Sequence, residues 1–439
     1  MAKTRYSTTY NKHTCWEASN WSHATTLAER IAFLHAQAGR PSVQITERAR
    51  KRLQRWQEQY VFTHAISFAE RLEMEGITEE ELLTLLALPG ETLQACFASS
   101  SPSWLAELAQ AFEASSTALD ESLPYESREA SPPPLSFVKP IEPLLRRALA
   151  RLHVGIDALA RRYPVLPFDT PSVTTSLFGH LVRQLRSMLT RTIVLELNVA
   201  RVQQRLQGET PEQRFLDFVR LLCQGEILSL LEAYPVLARQ LTLAIDRWVS
   251  YSLEFLGHLC ADWDELCATF APGTEPSPLT AVRMGAGDTH RGGRSVMILT
   301  FRSGIHLVYK PKSLAIDVHF QELLTWLNEC GCTPPLATLK VIDKGRYGWS
   351  EYIAAHECAS EEEVQRFYER QGAHLALLYA LGATDVHFEN VIAAGEHPML
   401  IDLETLLHPQ EGPHDGPEHP VANVLRPSRW PVASSRLWQ

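Results

Sequence analysis

The residues best suited to do chemistry lie in two short stretches near the end of the chain, "TDVHFEN" (384–390) and "LIDLE" (400–404). Asp385 precedes Asn390 by five positions, with His387 between them, and Asp402 and Glu404 close an apolar strand. A lysine, Lys310, ends an earlier strand, and "GAGDTHRGGR" (285–294) supplies a glycine-rich segment before it. A magnesium-bound nucleoside triphosphate needs four kinds of group. These are flexible backbone amides near the phosphates, a lysine to neutralise them, an acid to orient the attacking hydroxyl, and carboxylate or amide oxygens for the metal. The five-residue separation of Asp385 and Asn390 equals that of the catalytic Asp and the metal-binding Asn in H-R-D-x-x-x-x-N. Asp402 sits at the end of a strand, where the metal-binding Asp of such a site belongs, and Asp-x-His-x-x-Asn is nearer the lipid-kinase form of the loop.

Each group also has an ordinary reading. The glycine-rich stretch lacks the Gly-Lys-Ser/Thr that closes a P-loop. Lys310 taken alone is a surface lysine, His387 a structural histidine, and Asp402 and Glu404 are solvated acids after a strand. Asp288 would repel phosphates unless it holds a basic group or a substrate hydroxyl. With His290 it reads equally well as a turn aspartate beside a solvated histidine. Glu322, on the helix after Lys310, is the expected ion-pair partner of that lysine. The joint order of these groups, rather than any one of them, carries the reading.

The elements that position them follow from periodicity. "RSVMILTFRSGIHLVYKPK" reads as strand, Arg-Ser-Gly turn and strand. "LAIDVHFQELLTWLNE" (314–329) is helical through Phe320, Leu323, Leu324 and Leu327, and "LKVIDKGRYGWSEYIA" (339–354) is a hairpin about Lys344-Gly345. A helix capped by Ser360 runs to about Leu381. Upstream, Thr78 with Glu81 forms a capping box, as do Thr210 and Gln213 around Pro211. The division expected is a polar arm (1–40), a helical subdomain (41–130), a proline-rich linker (131–143) and a helical region (144–270). A catalytic core (283–409) and an irregular tail (410–439) follow. The fold class expected is α+β, a mainly helical N-terminal region followed by a core that resembles a two-lobed lipid kinase through its Asp-x-His-x-x-Asn loop, with an incomplete second lobe.

Composition narrows the remaining choices. A 45% hydrophobic, 21% charged chain of 439 residues builds a globular core. A formal charge of −10 argues against a nucleic-acid partner. No run of about 18 apolar residues predicts a membrane span, and the start has no signal-like apolar core. A cytoplasmic location follows, with the eight scattered cysteines as reduced thiols.

The segments "GDTHRGGRSV", "LVYKPKSLAIDVHFQELLTWLN", "YGWSEYI" and "FYERQGAHLALLYALGATDVHFENVIAAGEHPMLIDLETLLHP" resemble the dehydratase region of class II lanthipeptide synthetases. So do "LELNVARV" and "GETPEQRFLDF" upstream, and the resemblance spans about residues 45 to 410. It implies ATP and magnesium as cofactors and a leader-bearing precursor peptide as substrate, phosphorylated on Ser and Thr and then relieved of phosphate. By it Lys310 would contact the ATP phosphates and Asp385 would orient or deprotonate the hydroxyl. Asn390 and Asp402 would hold magnesium, His387 and Glu404 would belong to the phosphorylation site, and Asp288 and His290 match a Gly-Asp-x-His segment. Family members continue past the Asp-x-Glu strand into residues for phosphate elimination and a zinc-dependent cyclase. The proline- and tryptophan-containing tail therefore leads us to expect a truncation near Arg426, with a separately encoded C-terminal part as a further partner. Two other readings stay open: a non-catalytic remnant that binds leader peptide or nucleotide, and a kinase for a small molecule or lipid.

Overall fold

The computed structural model describes residues 19–36, 43–59, 67–100, 102–114, 123, 137–275, 277–286, 291–383 and 386–407. These form an α+β fold, mainly helical, with two small antiparallel sheets. The chain divides into two compact units that interleave in sequence. One takes the described parts of Met1–Ala158 and Phe178–Leu253, the other Leu159–Leu177 and the described parts of Glu254–Gln439.

The first unit is helical among its described residues. Its helices start where the sequence supplies caps. Thr78 accepts from the Glu81 N–H while Glu81 returns to Thr78, and Thr210 and Gln213 do the same around Pro211. Within the stretch expected to be a polar, partly ordered arm, residues Ser19–Ala24 form a 3-10 helix and Leu27–Ala36 an α-helix, with Trp21 fully buried. The order there comes from tertiary contacts that leave no periodic signature. Leu27 and Ile31 pack on Leu85, Leu88 and Leu93, and Glu29 is gripped by Arg239, more than two hundred residues away in sequence. Among the described residues no single helix is long and apolar enough to cross a membrane, and all seven described cysteines are free.

The second unit is built on a five-stranded antiparallel sheet in the order β1-β2-β3-β5-β4. Its strands are β1 (Leu279–Met284), β2 (Met297–Phe301), β3 (His306–Lys310), β4 (Val341–Asp343) and β5 (Gly348–Glu351). The β2–β3 turn is the expected Arg302-Ser303-Gly304, with Gly304 at φ 86°. The β4–β5 turn carries Gly345 at φ 78°. Such positive φ is open to glycine because it has no Cβ. Alternation of side chains along β2 and β3 buries Leu299, Leu307 and Tyr309 on one face. That face packs on the part of helix Pro235–Phe270 belonging to this unit. Phe255 lies edge-on to Tyr309, and Trp263 stacks on Phe301. Asp262 accepts from Trp349 Nε1 (2.8 Å) and the Tyr347 hydroxyl (3.0 Å), so the buried aromatic layer has its polar atoms matched.

Beyond the sheet, helix Ala315–Glu329 presents Phe320 and Leu324 to a second cluster with Leu336, Leu378, Leu403 and Leu406. Helix Glu361–Ala380 contributes Leu378 to it, and a two-stranded sheet, β6 (Val391–Ala394) with β7 (His397–Leu400), follows. At this ~25 cal/mol per Å² scale of apolar burial, one leucine is worth about 2 kcal/mol. This cluster is what holds the 401–407 segment against helix Ala315–Glu329.

Candidate active site

Lys310 is the last residue of β3 and pairs in register with Gly348 of β5. Strand alternation puts its side chain on the face opposite Tyr309. There it is buried, and its Nζ donates to Asp317 Oδ1 (3.1 Å) and to the carbonyl of Ile401 (2.7 Å). Glycine at 348 is required by close approach. A Cβ there would meet the Ile342 carbonyl oxygen at 2.6 Å and Leu314 Cδ1 at 2.6 Å, so a side chain would force β4 and the helix entry apart. That entry is fixed by Asp343, whose Oδ1 accepts from the Leu314 N–H (2.7 Å) and the Ser313 hydroxyl (3.2 Å).

The structure corrects the expected partner of Lys310. Asp317, in the first turn of helix Ala315–Glu329, takes that place, and Glu322 pairs instead with His319 Nδ1 at 2.9 Å on an exposed face. The reason is helical geometry: five residues at about 100° each put Glu322 roughly 140° around the helix from Asp317. Asp317, Phe320 and Leu324 share the buried stripe. Asp317 gains from the helix N-terminus, which favours an anion. Its Oδ2 is buried without a hydrogen-bond partner among the described residues.

The loop that follows helix Glu361–Ala380 begins in a defined way. Gly382 takes φ 64°, its N–H bonds the Tyr379 carbonyl, and the Ala383 N–H bonds that of Leu378. This is the double C-terminal closure that a glycine after a helix permits. His387 then caps a short 3-10 turn (Phe388–Asn390), its Nδ1 accepting from the Glu389 N–H at 3.3 Å. The β6–β7 hairpin brings the chain back, and the Ile401 N–H donates to the Asn390 carbonyl at 3.1 Å. Ile401 is thus bonded on one side to the Asn390 backbone and on the other to the Lys310 amine, directly before Asp402.

Asp402 and Glu404 point to one cation, Lys312. Its Nζ donates to Asp402 Oδ1 (2.8 Å) and Glu404 Oε2 (2.7 Å). Burial disfavours the ammonium form of Lys312, but the two carboxylates outweigh it and hold the amine above its ordinary range. Of the residues expected from sequence, Lys310 and Asn390 are each bonded to the Ile401 backbone, Asn390 through its own carbonyl, Asp402 and Glu404 share Lys312, and His387 lies three residues before Asn390 on the same turn. Asp385, Asp288 and His290 lie outside the described residues. The flanks of the glycine-rich segment are tied down: Arg294 Nη2 donates to Glu254 Oε2 (2.6 Å) and the Gly285 N–H to the Ser295 hydroxyl (3.1 Å).

Sequence reasoning missed Asp317 and Lys312. The first was signalled by an acid standing on the apolar stripe of its helix. The second was signalled by Lys-Pro-Lys, where the missing proline N–H ends the strand ladder after Lys310.

The donor set suits magnesium, a hard cation that binds through one or two carboxylates and completes its shell with water and phosphate. Among the described residues no group of three or more His, Cys, Asp or Glu gathers as a self-sufficient metal cage. Two carboxylates converging on one ammonium group are of the kind that shares a cation with a phosphate ligand.

A family model described as a domain of unknown function, DUF4135, matches residues 234–433. The Lacticin 481/lactococcin biosynthesis protein LcnDR2 of Lactococcus lactis subsp. lactis is 30% identical over 228 residues, which cover 50% of this chain. The match spans 24% of that protein's length, about a quarter. The family match takes in Lys310, Lys312, Asp317, Asn390, Asp402 and Glu404 together, and on these findings the chain is related to the lanthipeptide synthetases.

Proposed function

We propose that this protein phosphorylates Ser and Thr side chains of a precursor peptide, using ATP and magnesium in the cytoplasm, as the first half of lanthipeptide dehydration. One observation carries the reading. The strand-end amine of Lys310 is fixed between an acid on the following helix and the backbone carbonyl directly before Asp402. A strand lysine paired with a helix acid, next to a metal-binding aspartate, is the arrangement that must be assembled for phosphoryl transfer in kinases.

Magnesium bound with the nucleotide would neutralise charge building on the transferred phosphoryl group. The chain's own residues do the rest. Asp317 restrains the Lys310 amine so that it meets a phosphate oxygen without first being gathered from solvent, which is the preorganisation that lowers a barrier. Asp402 and Asn390 supply oxygens for the cation, and Glu404 adds a second carboxylate. Asp385, by its place five residues before Asn390, accepts the proton of the peptide hydroxyl. The relation to a lantibiotic biosynthesis protein supports the peptide as substrate rather than a lipid or small molecule.

Purified protein incubated with a Ser/Thr/Cys-rich precursor peptide, magnesium and ATP is expected to add the mass of phosphate to the peptide. Water loss would extend the activity to elimination. Tight peptide binding with neither change would instead favour a binding protein without turnover.

A further inference from the structure

We propose that Lys312 is a resident counter-ion of the Asp402–Glu404 pair, which the incoming metal displaces and which then serves the phosphates. This inference rests on the phosphoryl-transfer reading above and adds to it a residue with two stations.

Lys310 and Lys312 leave the same strand end two residues apart, yet they are held differently. Lys310 is enclosed: its carboxylate partner is 7% exposed, and its other contact is a backbone carbonyl. The Lys312 side chain is 20% exposed, and its two partners are 39% and 53% exposed. The Lys310 amine donates to Asp317 and the Ile401 carbonyl, so among the described residues the cation set between Asp402 and Glu404 is Lys312, whose single charge offsets half of theirs. Two like-charged carboxylates drawn together need a cation between them. The Lys312 ammonium stands at that point, donating to the same oxygens that a divalent ion would use. Ammonium and metal are then competitors for one position.

Lysine suits such a part because it is a compact point charge on a flexible four-carbon stem. Once displaced it remains tethered beside the metal, and the nearest uncompensated anion is the phosphate that arrives with it. Lys312 therefore opposes binding of a bare divalent ion and favours binding of the metal–nucleotide complex. The site discriminates between the two before any chemistry occurs.

The test compares the full-length protein with Lys312→Met, which keeps the stem and removes the charge. Binding of manganese(II) alone is followed by the paramagnetic resonance signal of the free ion. Binding of a non-hydrolysable ATP analogue with magnesium is followed by calorimetry. Lys312→Met is expected to bind manganese about tenfold more tightly, the factor that applies if ammonium occupies the pair about nine-tenths of the time. It is expected to bind the magnesium–nucleotide analogue several-fold more weakly. Lys312→Arg, which retains the charge, should resemble the wild type in the manganese measurement, and thermal melting of all three proteins checks that they are folded. Opposite shifts in the two affinities support the proposal, whereas shifts in the same direction, or none in the manganese affinity, overturn it. If wild type binds metal and nucleotide and Lys312→Met matches it, only this proposal falls. If no variant binds metal, the magnesium reading of Asp402 falls with it.

Discussion

A cation–carboxylate pair in each unit, partly buried in one and buried in the other, uses its carboxylate to a different degree. In the helical unit Arg239 meets both oxygens of Glu29, at 2.7 and 2.8 Å, donates to the Ala24 carbonyl (2.8 Å) and lies 5.9 Å from the Trp104 ring centroid. Glu29 also accepts from the Thr26 N–H, and the Arg239 contact leads in holding its carboxyl down at about 2. In the other unit Lys310 meets one oxygen of Asp317 and leaves the second without a partner among the described residues. A pair whose carboxylate is fully used acts as a clasp, even with the Arg239 Nε left without a hydrogen-bond partner among the described residues. One that keeps acceptor capacity in reserve costs stability, and such costs persist where function requires them.

The largest effect should come from breaking the open pair. Lys310→Met is expected to lower peptide phosphorylation by at least about 100-fold, the scale of losing one preorganised electrostatic contact. It should also destabilise the protein by about 3 kcal/mol through the buried carboxylate left behind. Lys310→Met combined with Asp317→Leu is expected to recover most of that stability in denaturant unfolding while activity stays lost. Recovered activity in the double variant would remove the distinction between the two pairs.

The closed pair gives the next effect. Arg239→Met should cost roughly 2 to 3 kcal/mol, and adding Glu29→Gln should restore most of it. Magnesium–nucleotide affinity, measured by calorimetry, is expected to remain that of the wild type in both variants.

A pH effect of similar or smaller size comes from His374. It is 3% exposed, neither ring nitrogen has a partner among the described residues, and burial pulls its pKa down to about 4. The folded state keeps the ring neutral while the unfolded chain takes up a proton below its ordinary value near 6.5. The unfolded state therefore binds more protons between these values, and stability falls as pH drops from about 6.5 to 4. The loss is on the order of 3 kcal/mol. Denaturant unfolding at pH 7 and pH 4 should show this increment in the wild type and its absence in His374→Leu. The smallest effect is expected at Glu322, whose exposed contact with His319 is worth well under 1 kcal/mol. Glu322→Gln should leave phosphorylation within about twofold of wild type, and a large loss there would return it to the site.

The contrast between Glu322 and Asp317 also shows how far the sequence could be read. Capping boxes at Thr78 and Thr210 and the turn at Arg302-Ser303-Gly304 were legible because local chemistry sets them. Which acid met Lys310 was decided by how Phe320 and Leu324 face Leu403 and Leu406, a tertiary choice. Lys312 escaped notice because its partners lie 90 and 92 residues away, with nothing local to announce them. The ordered turn and helix at 19–36 and the interleaving of the two units were hidden for the same reason.

Gly348 carries a consequence for the history of this fold. A Cβ at this position would strike the Ile342 carbonyl and Leu314 rather than Lys310, so glycine is imposed by the seam between β4 and the helix entry, whatever residue stands opposite it in the sheet. Descendants that shed the lysine would therefore still be held to glycine at 348 for as long as Ile342 and Leu314 keep their places.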